Sequence, residues 1–337
     1  MKKEFTDNII ELNRDMESFI IQGSATRSNF FKKKFEDKFV PLQFVHFSDI
    51  HAVLDLWNRI VEYINHYEKY ISFGIHTGDY CGNNQQLFVD FYNYGTQCER
   101  PIYNCVGNHD TLIARTDWTV NPDKSETFKR LFAPMPDSSA DVKFMPGEYS
   151  MTYFKDFPES NIRMIVLNLY YDIDEQTEWL KGLLTDAKEK GLSVITAMHE
   201  ATAEIVNSFG VSFHTLNDYT ALEGKFEETP FESIIADFIN DGGEHICHLA
   251  GHYHHDLFGV TEKGVLNTVV PCATNWNGWC DGKREKGTRT YDCFNVVSVD
   301  TNLGLLKICR IGDNCDHYLR EKKVLCFDFR NRKVIAN

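Results

Sequence analysis

Three short motifs, Asp49-Ile50-His51, Gly78-Asp79 and Gly107-Asn108-His109-Asp110, recur at an interval of 29 residues, counted from position 49 to 78 to 107. Each directly follows an apolar run, at residues 42–48, 70–76 and 101–106. Short apolar runs closed by turn residues read as buried strands. An interval of this length suits a strand, a crossover helix and the return to the next parallel strand. The helices are legible as well. Leu54, Trp57, Ile60, Val61 and Ile64 form an apolar stripe after the first motif, and Leu87, Phe88, Phe91 and Tyr92 do so in a second stretch near 84–97. The pattern therefore predicts parallel strands carrying their motifs at the carboxyl ends, where α/β sheets place their sites.

The remaining chain continues in kind. Residues 149–154 and 162–169 predict a hairpin, and a helix opening at Asp174 presents Trp179, Leu180, Leu183, Leu184 and Ala187 before Gly191 ends it. Strand 192–198 ends in His199-Glu200. A helix over about 230–240 precedes strand 245–250, which ends in Gly251-His252-Tyr253-His254-His255. Strands are expected at 256–261, 265–270, 293–300, 304–311 and 323–329. Three polar or irregular excursions, 111–149, 201–228 and 272–292, interrupt this order. A short helix is expected near 124–132 within the first. Residues 1–40 are expected to be a helical extension, with Ile9, Leu12, Met16, Phe19 and Ile20 at helical spacing. Residues 41–337 then form one domain.

In an extended segment residues i and i+2 point to the same side, so Asp49 with His51, and His252 with His254, can each meet one ion at a strand tip. Each motif alone also has an ordinary structural reading, as turn chemistry or a packed histidine. Together they supply three oxygen ligands and four histidines. That set suits two adjacent divalent ions such as Mn, Fe or Zn, with nitrogen and oxygen donors and no thiolate. His46, His76, His245 and His248 lie within strands and are expected to be packed or hydrogen-bonded. His255, beside the ligands, is a candidate substrate group.

The ordered series D-x-H, G-D, G-N-H-D, H, G-H-x-H resembles the calcineurin-like metallophosphoesterase superfamily, over roughly residues 42–300. The helix carrying Gln176, Trp179 and Leu180 is similar to that family's helix before its fourth motif. The resemblance implies a four-layer α/β/β/α sandwich of two mixed sheets, with the C-terminal strands from about 257 onward belonging largely to the second sheet. It implies that Asp49, His51 and His254 bind one ion, that Asn108, His199 and His252 bind the other, and that Asp79 bridges them. His109 would then act on the leaving group as general acid, with Asp110 orienting its ring. The implied reaction is phosphoester hydrolysis by a metal-activated water. The substrate is expected to be a phosphomonoester or small phosphodiester, such as a nucleotide or cyclic nucleotide.

Departures from subfamily patterns narrow the choice. Protein Ser/Thr phosphatases of this kind carry Asp-Arg-Gly shortly after Gly-Asp, whereas Asp79 is followed here by Tyr80-Cys81-Gly82-Asn83-Asn84. The tyrosine ligand of purple acid phosphatases would fall at Gly82. Substrate contacts are expected from the excursions, with Trp276 and Trp279 offering stacking faces and Lys283, Arg284 and Arg289 phosphate contacts. A nuclease and a non-catalytic scaffold are the alternatives. The net charge of −14 argues against a general grip on nucleic-acid backbone without excluding a local groove, for instance around Lys32-Lys33-Lys34. Ten scattered cysteines without a Cys-x-x-Cys pair, and a polar start Met1-Lys2-Lys3-Glu4, lead to the expectation of a cytoplasmic protein with free thiols. No run is long enough to span a membrane.

Overall fold

A computed structural model describes residues 41–80, 90–91, 93–110, 141–146, 151–170, 173–205, 226–254, 257–261, 263–273, 293–312 and 324–336. The expected extension 1–40, the helix near 124–132, and most of the three excursions lie outside the described residues.

Strand β1 (Leu42–Phe47) shows how the sequence sorts its layers. All six of its residues are buried, yet they face two different cores. Leu42 and Phe44 point between the sheets, and Val45 and Phe47 point to the outer side, following the two-residue alternation of a strand. On that outer side lies α1 (Leu54–His66), which buries Trp57, Ile60, Val61 and Ile64 of the expected stripe together with Leu56 and Tyr63. Strands β2 (Phe73–His76) and β3 (Ile102–Asn104) follow in parallel, Phe44 facing Phe73 and Gly74 facing Ile102. The second strand starts three residues later than the sequence suggested. Tyr70 is exposed and ends a turn whose carbonyl accepts from the Gln43 amide.

The second sheet begins with β4 (Lys143–Phe144), β5 (Tyr153–Phe157) and β6 (Ile162–Val166), of which the last two make the expected antiparallel hairpin. Helix α2 (Ile173–Glu189) leads to β7 (Ser193–Ala197). The small ribbon β8 (Ala203–Ile205) and β9 (Phe226–Glu228), which the sequence did not signal, frames the second excursion. Helix α3 (Pro230–Asn240) then leads to β10 (His245–Ala250), β11 (Leu257–Val260) and β12 (Leu266–Val269). Strands β6, β7, β10 and β12 are mutually parallel. Ile165, Leu167, Val194 and Met198 pack outward against Leu180 and Leu184 of α2 and Phe231 and Ile235 of α3.

The four last strands, β13 (Cys293–Asp300), β14 (Leu305–Gly312), β15 (Val324–Asp328) and β16 (Lys333–Ala336), correct one expectation. They join the first sheet, not the second, giving the order β16-β15-β14-β13-β1-β2-β3 beside a second sheet β11-β12-β10-β7-β6-β5-β4. The physical reason is the open edge of β1, which pairs with β13 in antiparallel register, Phe44 facing Val297. β13 is apolar on both faces, with Phe294 and Val296 turned toward the α1 side and Val297 and Val299 into the core between the sheets. Among the described residues, β11 and β12 are the strands from 257 onward that belong to the second sheet. The result is two seven-stranded mixed sheets face to face with helices outside them.

Candidate metal centre

Beyond the ends of β1 and β2 the two chains stay together: Asp49, His51 and Ala52 donate their N–H groups to the carbonyls of Gly78, Asp79 and Tyr80. This extension needs an unusual backbone. Asp49, His51, Asp79, His252 and His254 all have positive φ, between 47° and 68°, a region costly for residues with a Cβ. Such conformations persist where the surroundings over-determine them, and here they turn five polar side chains toward one point. The approach is close enough that a Cβ on Gly251 would lie 1.8 Å from Ser48 Oγ.

One cluster forms around His199. Its Nδ1 lies 2.7 Å from the Thr77 carbonyl, which can only accept, so Nδ1 carries the proton and Nε2 faces inward. Nε2 is 3.0 Å from Asn108 Oδ1, 3.2 Å from His252 Nδ1 and 3.4 Å from Asp79 Oδ2, while His252 Nδ1 is 3.0 Å from the same Asn108 oxygen. These are acceptor atoms facing one another at the edge lengths of a coordination polyhedron. Bonds of about 2.1 Å give edges of about 3.0 Å in an octahedron and about 3.4 Å in a tetrahedron. Burial works against charge on His199, but the carboxylates of Asp79, Asp49 and Glu200 outweigh it and raise its imidazole well above the usual range. A divalent ion meets the same electrostatic demand.

The second cluster joins His51 Nε2 and His254 Nε2, 2.9 Å apart, with Asp49 Oδ1 at 3.7 Å and 3.2 Å from them. Asp49 is fully buried, and its Oδ1 has no hydrogen-bond partner among the described residues. An orphaned carboxylate oxygen between two imidazoles is costly unless a cation completes it. Asp79 stands between the clusters, its carboxylate within 4.8 Å of His51 on one side and of His199 and Asp49 on the other. All seven expected ligands thus converge, and their donor types fit two divalent ions.

His109 lies at the open side of the group, with its side chain 34% exposed, its Nε2 3.9 Å from Asp79 Oδ2 and its ring edge-on to His51. Its backbone N–H donates to Asp79 Oδ1. The bonds of Asp110 differ from the expected contact with the His109 ring. One oxygen accepts from Tyr80 N–H and the other from the N–H groups of Asp79 and Gly107. Residues 108–110 form a helical turn, in which neighbours in sequence do not face each other. Asp110 ties two motif loops together from behind. Burial, then the Asp79 carboxylate, push it up to about 8.

The substrate candidates His255, Trp276, Trp279 and Arg289 lie outside the described residues, as do Lys283 and Arg284. The strand histidines are packed as expected. His248 Nε2 donates to the Glu200 carbonyl, so its Nδ1 accepts from Thr196 O–H, and Thr196 Oγ1 in turn accepts from His245 Nε2. Burial pushes His46 and His76 down to about 3 and His248 to about 4.

Two residues of the centre have no place in the motifs. Cys272 Sγ lies within 4.8 Å of ring nitrogens of His51 and His254, and it contacts the Asp49 carbonyl. Glu200, directly after His199, is buried and accepts from Tyr170 O–H. An acidic residue closing an apolar strand run, Val194 to Met198, was the only signal the sequence offered for it.

A family model described as calcineurin-like phosphoesterase matches residues 42–256. No curated protein matches the chain. Among solved structures, a dimetal phosphatase from Danio rerio aligns with a TM-score of 0.50 at 11% identity, covering 81% of this chain and 97% of that one. A predicted phosphoesterase from Streptococcus pneumoniae gives 0.34 at 12% identity over 86% and 98% of the two chains. An anchor of the Plasmodium inner membrane complex gives 0.46 at 13% over 81% and 84%. The zebrafish alignment shows a shared fold.

Proposed function

The chain belongs to the calcineurin-like phosphoesterase family and is a metal-dependent phosphoric ester hydrolase, and we propose that it cleaves a small phosphomonoester or phosphodiester, such as a nucleotide, with His109 as general acid. The observation that carries this reading is the pair of donor clusters on either side of Asp79. Asp49, His51 and His254 would hold one ion and Asn108, His199 and His252 the other, with Mn, Fe or Zn as the candidate ions. When bound, such ions supply Lewis-acid stabilisation of phosphoryl oxygens and lower the pKa of a water.

The protein's own part is positional. The Thr77 carbonyl fixes the His199 tautomer, and Asp110 holds the two loops whose side chains meet the substrate. The His109 side chain is 34% exposed, so it reaches a leaving-group oxygen that the fully buried Asp49 and His199 cannot. A cytoplasmic setting accords with free thiols at all seven cysteines among the described residues, and no described helix is long and apolar enough to cross a membrane.

The test is hydrolysis of an aryl phosphate and a bis-aryl phosphate by Mn-loaded protein, where inactivity on both overturns the proposal. His109→Ala should keep both ions and lose about 10²- to 10⁴-fold in turnover. Asp79→Asn should lose metal occupancy. If His109→Ala also emptied the site, the division between ligand and acid would be wrong.

A further inference from the structure

Glu200 has the features of a ligand without belonging to any of the motifs. It follows His199 at the end of β7 and is 3% exposed. Its Oε1 accepts the Tyr170 hydroxyl, while its Oε2 is buried with no hydrogen-bond partner among the described residues. A carboxylate oxygen of Glu200 lies within 4.8 Å of ring nitrogens of both His199 and His252. Its backbone is clamped, because the Glu200 carbonyl accepts from His248 Nε2 at 2.9 Å. A buried carboxylate oxygen left unpaired is costly, and the nearest electrostatic remedy is the cation that the His199 cluster is built to take.

Resting on the dinuclear reading above, we propose that Glu200 is a direct ligand of the ion held by Asn108, His199 and His252, with Tyr170 orienting its carboxylate. That ion then has three oxygen donors, from Asp79, Asn108 and Glu200, and two imidazoles. The other ion has two carboxylates and two imidazoles, with the Cys272 sulfur beside them. Both positions then have two carboxylates, but the His199 position adds the Asn108 oxygen and has no sulfur beside it among the described residues, so the two differ in metal preference and the His199 position is the one favoured by an oxygen-loving ion such as Mn²⁺.

The experiment combines Mn²⁺ calorimetry on the full chain with anomalous difference maps from Mn-soaked crystals, which resolve the two positions. Wild type should bind two ions. Glu200→Gln keeps an oxygen to accept from Tyr170, so a purely structural role predicts no change. Ligation predicts a loss of at least about 10-fold in affinity at the His199 position and little at the His51 position. Tyr170→Phe should weaken the same position by less. Should Glu200→Gln fail to fold by circular dichroism, Glu200→Asp, which withdraws the carboxylate by one methylene, must show the same one-sided loss. Unchanged binding, or equal loss at both positions, overturns the assignment while leaving the dinuclear centre intact. Wild type binding fewer than two ions overturns both.

Discussion

Gly107→Ala puts the packing of the centre to a direct test. A Cβ at this position would lie 2.1 Å from Asp79 Oδ1 and 2.4 Å from Asp79 N, where real Cβ contacts stay above 3.0 Å. Rotating the Asp79 side chain cannot relieve both, because one of the atoms is backbone. The loop must therefore retreat by at least about 0.6 Å, the difference between 3.0 and the 2.4 Å backbone contact. That retreat weakens two bonds that are now 2.9 Å long, Asp79 N–H to Asp110 and His109 N–H to Asp79 Oδ1, by stretching them toward about 3.5 Å. Partial loss of two carboxylate hydrogen bonds plus overpacking comes to about 2–4 kcal/mol. For a chain of this length that lowers the melting temperature by about 3–6 °C. Since Asp79 stands between both clusters, Mn²⁺ affinity should fall by about 10- to 100-fold as well.

The matched control is Gly182→Ala. Gly182 lies in α2 with open space where its Cβ would be, so this change should stabilise by about 0.5–1 kcal/mol and leave metal binding alone. Thermal melts and calorimetry on the two variants decide the matter. Gly107→Ala melting within 1 °C of wild type and binding two ions at wild-type affinity would refute the close-packing argument.

Other positions give independent readings. Ala52 is exposed with φ of 68°, so Ala52→Gly removes a left-handed penalty of about 1–2 kcal/mol and adds a chain-entropy cost of about 0.5–1 kcal/mol. A small net stabilisation in urea unfolding is expected, and a destabilised variant would count against the strain. His46, His76 and His248 have folded values depressed below the unfolded 6.5. Their stability contribution is therefore present above pH 6.5 and is lost as pH falls toward 4, because the unfolded chain takes up protons that the fold refuses. Together they should cost about 4 kcal/mol by pH 5.5, read as a shift in the urea midpoint between pH 7.5 and 5.5, and His248→Gln should remove about a third of it.

What the sequence disclosed and what it withheld divide along a physical line. The strand tips were legible because each combines a local run of apolar residues with turn chemistry, and both signals lie within ten residues. The partner of β1 was not, since β13 lies some 250 residues away and pairing at that range depends on which edge is free, not on any local pattern. Short elements escaped as well. β4 has two residues and β8 three, too few to show a period. Gln176 shows a subtler failure. It reads as a polar helix residue, yet it is fully buried and brackets the Asn168 backbone, accepting its N–H and donating to its carbonyl. Trp179, counted in the apolar stripe, is only partly buried, and packs beside Phe154. Glu200 and Cys272 eluded the motifs because nearness to a ligand in space is not written in spacing.

The five left-handed positions of the centre also explain why the motifs are so compact. Each costs about 1–2 kcal/mol, so together they approach the whole stability of an ordinary domain. A chain can carry that only where local bonds repay it, and here they are concentrated. Three backbone bonds join residues 49–52 to 78–80, and three N–H groups converge on Asp110. Those bonds require the participating loops to be short and adjacent, which is why parallel neighbours β1, β2 and β3 carry successive motifs at equal intervals. The 29-residue interval is thus the sequence trace of three neighbouring parallel strands, the first two of which end in the left-handed positions Asp49, His51 and Asp79. Between the first two loops that interval holds α1 and β2, and β3 leads into the third, so neighbouring strand ends bring the carboxylates within reach of one another.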